Sequence, residues 1–110
     1  MNDQTARITP VVVVLPAEID VTNSEQVYDQ LVAVLAPGVR TVIADMTSTA
    51  FCDSSGVHAI MHAYETSAGH DVQLRLAVSS NTSVRRVLEL IGVGRLMPVH
   101  MSLQEALDAA

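Results

Sequence analysis

One short stretch of this chain gathers the residue types that could do chemistry. Residues 49–56 read Thr-Ala-Phe-Cys-Asp-Ser-Ser-Gly, so an acid, Asp53, stands directly before two serines, Ser54 and Ser55. An apolar run precedes the stretch and a pattern of helical period follows it. The serines are therefore expected at a strand-to-helix junction, where backbone N–H groups lack partners and point outward. Hydroxyls in such a place could attack a substrate, cap the helix or accept a phosphoryl group.

Ser55 is a poor candidate for a hydrolytic nucleophile. The nucleophile elbow has glycine two residues before and two residues after its serine, whereas Asp53 and Val57 hold those positions around Ser55. His58 lies three residues after Ser55, and a base fixed one turn along the same helix is badly placed for attack on a bound carbonyl. An enzyme built on Ser55, His58 and His62 is kept as an alternative, which hydrolysis of activated esters, lost in Ser55→Ala, would support.

Metal binding and phosphate binding have little support in the sequence. His58 and His62 stand four residues apart, the half-site spacing of many zinc sites, and Glu65 continues the stripe. No glutamate follows His58 directly, so the metalloprotease pattern is absent and we expect no metal site. We interpret the three residues as the solvent-facing side of a helix. The apolar side of that helix holds Val57, Ile60, Met61 and Tyr64. A lone Gly56 without Gly-Lys-Ser/Thr does not make a nucleotide-phosphate loop.

A serine near a helix N-terminus can also be the substrate of another protein's chemistry. A phosphoryl group on Ser55 would add a charge of about −1.5 to −2 at the positive end of the helix dipole, which the helix tolerates. A partner packed over the junction would meet that charge together with Asp53, Asp20 and Glu18, if their loops are adjacent. Like charges at an interface cost about 3–4 kcal/mol, roughly a hundred- to thousand-fold in affinity. The simpler alternative is that Asp53 or Ser54 only caps the helix.

Composition limits the partners. The chain has 110 residues, 49% of them hydrophobic, so we expect a single folded domain over 1–110 with residues 1–7 frayed. Its net charge is −6 and 3% of its residues are aromatic, which argues against nucleic acid and favours a basic protein partner. The single cysteine favours a reducing compartment. No signal peptide is visible and the apolar run 11–15 is too short to span a membrane, so we expect a cytoplasmic protein without membrane contact.

Strand and helix patterns alternate along the chain. Strands are predicted at residues 8–15, 39–46, 72–78 and 96–100; the first is expected to be covered on both faces, with Pro10 able to split off a short edge piece. Residues 16–20 are predicted to be a loop. Helices are predicted around the apolar spacings that begin at Val27, Val57 and Val84, and a last helix through Leu107. The predicted caps are the capping boxes Thr22–Glu25 and Ser102–Glu105, and Asn81 or Ser83.

This alternation predicts an α/β fold. We expect a mostly parallel or mixed sheet of four or five strands, packed with about four helices. Function in such sheets gathers outside the carboxyl ends of the strands. Two polar or acidic loops are predicted there, at residues 18–22 and 47–56.

At residues 53–56 the sequence resembles the STAS domain family, specifically its bacterial anti-sigma factor antagonists. Residues 15–20, Leu-Pro-Ala-Glu-Ile-Asp, resemble the family's Leu-x-Gly-Glu-Leu/Ile-Asp loop, and Val-Ile-Ala-Asp-Met at 42–46 resembles its Val-Ile/Val-Leu-Asp-Leu strand end. Residues 84–93 resemble its third helix and 102–107 its closing helix, so the likeness covers about residues 10–108 in order. Pro16-Ala17 replaces the usual glycine before Glu18, and Cys52 stands where the family commonly has Met or another apolar residue.

The resemblance implies a regulatory protein that is not an enzyme and has no cofactor. Such proteins bind an anti-sigma factor that is also a serine kinase, and so free a sigma factor for transcription. The kinase then phosphorylates the second serine of the motif, here Ser55, and a serine phosphatase resets it. Asp20 matches the family's aspartate that helps engage the kinase. A different reading within the family is an accessory subunit of a transport assembly, or a small-ligand-binding module.

The predicted site therefore combines the two loops with the adjoining helix face. Ser55 is the predicted phosphoacceptor, and the helix face of His58, His62 and Glu65 is expected at the rim of the partner interface. The predicted partner-binding residues are Glu18, Asp20, Thr22, Asp53, Ser54, Gly56, His58 and His62.

Overall fold

A computed structural model describes residues 9–80 and 82–109. Within these residues the strands are β1 (Val11–Val14), β2 (Glu18–Ile19), β3 (Thr41–Asp45), β4 (Phe51–Cys52), β5 (Gln73–Ala77) and β6 (Val99–His100). The α-helices of the same residues are α1 (Ser24–Ala33), α2 (Ser54–Gly69), α3 (Ser83–Ile91) and α4 (Leu103–Asp108), with a 3-10 turn at Val93–Arg95. The frayed residues 1–7, the start of an edge piece at Ile8 and a cap at Asn81 were predictions that lie outside the described residues.

The main sheet is parallel throughout its described strands. Its order is β1-β3-β5-β6, and each neighbouring pair runs parallel. The helices between the strands make the crossovers that parallel pairing needs. The predicted α/β fold is therefore confirmed, with four strands in the main sheet and four α-helices among the residues described.

β1 differs from its prediction. It is an edge strand that pairs with β3 among the described residues, and its side chains alternate between a covered and an open face. Val14 is 63% exposed and Val12 37%, whereas Val13 is buried. The expectation of a strand covered on both faces is wrong. On the face opposite the main core, α4 packs on Ile43 of β3 and Ala77 of β5, and among the described residues Val12 and Val14 stay open.

Two other boundaries differ as well. Residues 16–20, predicted to be a loop, contain β2, which pairs with β4 in a separate two-stranded sheet. β6 begins at Val99 and not at Leu96, because the chain leaves α3 through the 3-10 turn and reaches the sheet later.

The helix caps follow the sequence only in part. The capping box before α4 is confirmed: Ser102 Oγ accepts a hydrogen bond from Glu105 N (3.0 Å), and Glu105 Oε1 accepts one from Met101 N (3.1 Å). α3 is capped by Thr82, whose Oγ1 accepts from Arg85 N (3.2 Å), so the Ser83 prediction is wrong by one residue.

The capping box predicted before α1 does not form. Asn23 holds the N-cap position without a side-chain cap bond. Thr22 donates its hydroxyl to Asp20 Oδ1 and is not free to cap the helix. The cap is lost because the loop before the helix uses the hydroxyl for its own turn.

The helices pack on both faces of the main sheet. α1, α2 and α3 pack on one face of the main sheet, and α4 packs on the other. The core residues of α2 on the sheet side are Val57, Ile60 and Ala63. On the opposite face, buried Arg75 donates to the carbonyl of Ala106 in α4 (2.9 Å).

No helix in the described part of the chain is long and apolar enough to cross a membrane.

Candidate functional site

The two loops predicted to carry function are joined by β-pairing. β2 runs parallel to β4, with Glu18 opposite Phe51 and Ile19 opposite Cys52. Backbone bonds extend the contact at both ends, from Ala50 N to Ala17 O (2.7 Å) and from Asp53 N to Ile19 O (3.1 Å). The loop that carries Glu18, Asp20 and Thr22 therefore lies directly against the start of α2. Periodicity could not reveal this pairing, because a two-residue strand has no period to read.

Asp53 organises the start of α2. Its Oδ1 accepts from Ser55 N (3.0 Å), Gly56 N (3.2 Å) and the Ser55 hydroxyl (2.6 Å). The bond from the Ser55 hydroxyl, helped by the N–H groups of Gly56 and Ser55, holds the pKa of the Asp53 carboxyl below its ordinary value of 3.8 against the opposing effect of partial burial. Asp53 is thus an ionised N-cap at neutral pH that also fixes the direction of the Ser55 hydroxyl.

The two serines have different surroundings. Ser54 is the exposed first residue of α2, whereas Ser55 is half-buried and bound to Asp53. Among the described residues, no hydrogen bond joins Ser55 to His58, and the Ser55 hydroxyl donates to Asp53 instead. Of the two predicted caps of α2, Asp53 and Ser54, the structure shows Asp53 in the N-cap position.

The Asp53–Ser55 arrangement occurs at two further places that the sequence analysis did not identify. Asp20 Oδ1 accepts from both the N–H and the hydroxyl of Thr22, and Asp45 Oδ1 does the same with Thr47. The signal in the sequence is the repeated spacing Asp-x-Ser/Thr. These turns fix the backbone conformation of the loops after β2 and β3. The Asp20–Thr22 turn lies in the loop between β2 and α1, next to the start of α2.

Gly56 allows α2 to approach the small sheet. A Cβ atom at this position would lie 2.6 Å from Ile19 Cγ2 and 2.7 Å from Cys52 Sγ. Cys52 itself is buried, and that burial, followed by the charge of Asp53, raises the pKa of its thiol from 9.0 to about 11. The thiol is therefore protonated at neutral pH and is not a nucleophile.

Two apolar side chains stand exposed on the paired loops. Val21 is 76% exposed and Phe51 is 49% exposed. Both lie on the loops whose pairing positions the start of α2. We call Val21 and Phe51 the apolar loop pair, since they are the exposed large apolar side chains of these two loops.

A groove of about 440 Å³ opens beside Ser55, between α1 and α2. The His62 ring stacks on Tyr28 with the centroids 4.4 Å apart and the planes at 24°. His58 and His62 are exposed, as predicted, and Glu65 is exposed outside the groove. The groove is lined by Ser24, Glu25, Tyr28, Asp29, Ser55, His58, Ala59 and His62. In residues 9–80 and 82–109, no three of the His, Cys, Asp or Glu side chains are grouped so that they could hold a metal ion.

The fold and the site define a small α/β domain that presents a serine hydroxyl at a helix start, beside an exposed apolar pair. The profile of the STAS domain family matches residues 2–106, so the chain belongs to this family. No curated protein matches the chain.

Solved structures with the same fold include an anti-sigma factor antagonist and a candidate one. The antagonist from Mycobacterium paratuberculosis is 22% identical and aligns with a TM-score of 0.78 over 96% of this chain and 86% of its own. A candidate antagonist from Thermotoga maritima is 19% identical, with a TM-score of 0.71 over 86% of this chain and 83% of its own. An NMR structure of that Thermotoga protein aligns with a TM-score of 0.72 at 16% identity, over 96% and 89% of the two chains.

Proposed function

We propose that this protein is a cytoplasmic anti-sigma factor antagonist whose binding to its partner is switched off by phosphorylation of Ser55. The partner is an anti-sigma factor with serine kinase activity, and a serine phosphatase reverses the modification. The observation that carries the proposal is the Ser55 hydroxyl held by Asp53 at the start of α2 (2.6 Å), against the paired loops. Membership of the STAS family and the likeness to antagonist structures support it.

The paired loops supply a surface on which a charge at Ser55 would matter. The apolar loop pair offers apolar area to a partner, and burial of such area needs the neighbouring polar groups to be matched or desolvated. Phosphorylation replaces the hydroxyl proton that Asp53 accepts and sets an anion beside this carboxylate. Asp20 and Glu18 add negative charge on the adjoining loop. The expected loss of binding is about 3–4 kcal/mol, roughly a hundred- to thousand-fold in affinity.

The other proposed contacts follow from their places around Ser55. Glu18, Asp20 and Thr22 face the partner from the first loop, and Ser54 does so from the exposed first turn of α2. Asp53 and Gly56 act by positioning, since one caps the helix and the other lets it approach the small sheet. His58 and His62 lie along α2, where we place the rim of the interface. The protein catalyses nothing in this scheme, because the kinase and the phosphatase do the chemistry.

The test uses the purified anti-sigma kinase, ATP and Mg²⁺, with the phosphate located by mass spectrometry. We expect one phosphate per chain on Ser55, none in Ser55→Ala, and normal incorporation in the matched control Ser54→Ala. In binding assays Ser55→Ala should bind the kinase constitutively, and Ser55→Asp should bind it about a hundredfold more weakly. A phosphate found on another residue, or equal binding by the two Ser55 variants, contradicts the proposal.

A further inference from the structure

The charges of this chain are divided unevenly along its length. Residues 8–74, which build α1, α2 and both loops of the site, hold eight acidic residues and one arginine. Residues 75–110 hold three acidic residues and four arginines. Residues 8–74 are therefore strongly acidic, and two of their carboxylates line the α1–α2 groove together with Ser55.

One wall of the α1–α2 groove carries two carboxylates that have no ion-pair partner in the part of the chain that the structure describes. Glu25 and Asp29 are exposed, four residues apart on α1, and both line the groove. Like charges at this spacing disfavour a helix slightly. The ion pair found among the described residues joins Arg85 to Glu89 on α3 and involves neither of them. Over residues 9–80 and 82–109, the groove thus offers two acceptor groups that have no salt-bridge partner.

The groove also contains a fixed stack of two rings. Tyr28 is held by a hydrogen bond between its hydroxyl and Thr66 Oγ1 (2.8 Å), and the His62 ring stacks on it. Tyr28 is half-buried and His62 is exposed, so the stack borders the open groove. A planar guanidinium binds well to such a site, since it stacks on rings and donates to carboxylates at the same time.

We propose that the α1–α2 groove binds an arginine side chain of a protein that recognises the form phosphorylated on Ser55. The modification in this statement rests on the function proposed above. Ser55 lines the groove together with Glu25 and Asp29, so a phosphate there adds negative charge to a surface that already favours a cation. The two sides of Ser55 then respond oppositely: the apolar loop pair loses its partner, and the groove gains affinity for a cationic one.

The probe for this test is the peptide Ac-Gly-Arg-Gly-NH₂, with its citrulline analogue as the uncharged control. Phosphoserine is installed at position 55 during translation, so the cognate kinase is not needed. NMR titrations at pH 8, above the usual range of histidine protonation, compare the modified and unmodified proteins. We expect saturable shifts at Tyr28, His58 and His62, with an affinity about threefold higher for the phosphorylated protein, and no saturable shifts with citrulline.

Matched variants locate the binding. The double variant Glu25→Gln, Asp29→Asn should lose most of the affinity for the arginine peptide, whereas Glu65→Gln, which removes an exposed carboxylate outside the groove, should keep it. Shifts scattered over the acidic surface, equal affinity in both protein forms, or equal losses in the two sets of variants overturn the groove proposal. These results leave the kinase test untouched. Conversely, a failure of Ser55 to accept phosphate from the kinase would leave arginine binding by the groove measurable and remove only its regulatory meaning.

Discussion

Asp53 uses one carboxylate oxygen for three hydrogen bonds, and all of them bear on Ser55 or Gly56. The same atom caps α2 and holds the hydroxyl that we propose as the phosphoacceptor. A phosphate on the Ser55 hydroxyl oxygen removes the O–H donor and places a second anion beside the Asp53 carboxylate. The modification therefore acts on the start of α2 as well as on the partner. The positive end of the α2 dipole offsets part of this repulsion.

Cys52 gives a pH-dependent prediction at the residue scale. Its thiol has a pKa of about 11 in the folded protein, raised from 9.0 by burial and by Asp53. Between these values the unfolded thiol has lost its proton while the folded one keeps it, so the free energy of unfolding falls as the pH rises through this interval. Well below pH 9.0 the thiol is protonated in both states and contributes no slope.

The measurement is urea unfolding at several pH values from 8 to 11, for the natural protein and for Cys52→Ala. Stability should decline more steeply in the natural protein, because the variant lacks the thiol while every other titrating group is shared. The comparison concerns the slopes, since loss of the buried side chain lowers the stability of the variant at all pH values. Parallel slopes would show that the thiol titrates alike in the folded and unfolded chains.

The residue types at the site were predictable to different degrees. Asp53 and Ser55 could be found because an acid and a serine stand between a strand pattern and a helix pattern. The assignment of Ser55 over Ser54 came from the family resemblance; the structure adds that Asp53 binds the hydroxyl of Ser55. Tyr28 was not identified as a site residue, because its stacking with His62 depends on how α1 packs against α2.

At the scale of elements, α2 is positioned from two sides. Its apolar face packs against the main sheet, and its first turn rests on β2 and β4. The long elements could be predicted since they have a readable period, whereas β2 and β4 are two residues each and were missed. The failed cap of α1 has a related cause, because the Thr22 hydroxyl is taken by a turn that the capping pattern does not reveal.

Gly56 tests how closely α2 must approach the small sheet. In Gly56→Ala the new methyl group would overlap Ile19 and Cys52, so we expect a loss of about 1–3 kcal/mol in the free energy of unfolding. The matched control is Gly69→Ala in the last turn of α2, where a Cβ meets nothing within 4 Å. Alanine favours a helix over glycine by up to about 1 kcal/mol, so the control should be neutral or stabilised in urea unfolding. Equal effects of the two changes would mean that the approach has no energetic importance.

At the scale of the whole molecule, Ser55 lies where two unlike surfaces meet. The apolar loop pair belongs to the paired loops, and the acidic groove belongs to the α1–α2 face. The sequence predicted the α/β scaffold because buried strands and amphipathic helices leave strong patterns. It did not predict these surfaces, since exposed side chains carry no period and their neighbours are set by the tertiary packing.

The apolar loop pair carries the last prediction. If the kinase docks over Ser55, Val21→Ser and Phe51→Ser should each weaken its binding by about tenfold, because they remove apolar area from the centre of the proposed contact. Leu90→Ser is the matched control: Leu90 is 80% exposed on α3, so the change removes comparable apolar area outside the proposed contact. Titration calorimetry gives the affinities, and urea unfolding verifies that each variant is folded, which matters for the partly buried Phe51. Unchanged affinity in folded Val21→Ser and Phe51→Ser, or a similar loss in Leu90→Ser, would place the kinase on another face of the molecule and leave a phosphate at Ser55 without a direct way to displace it.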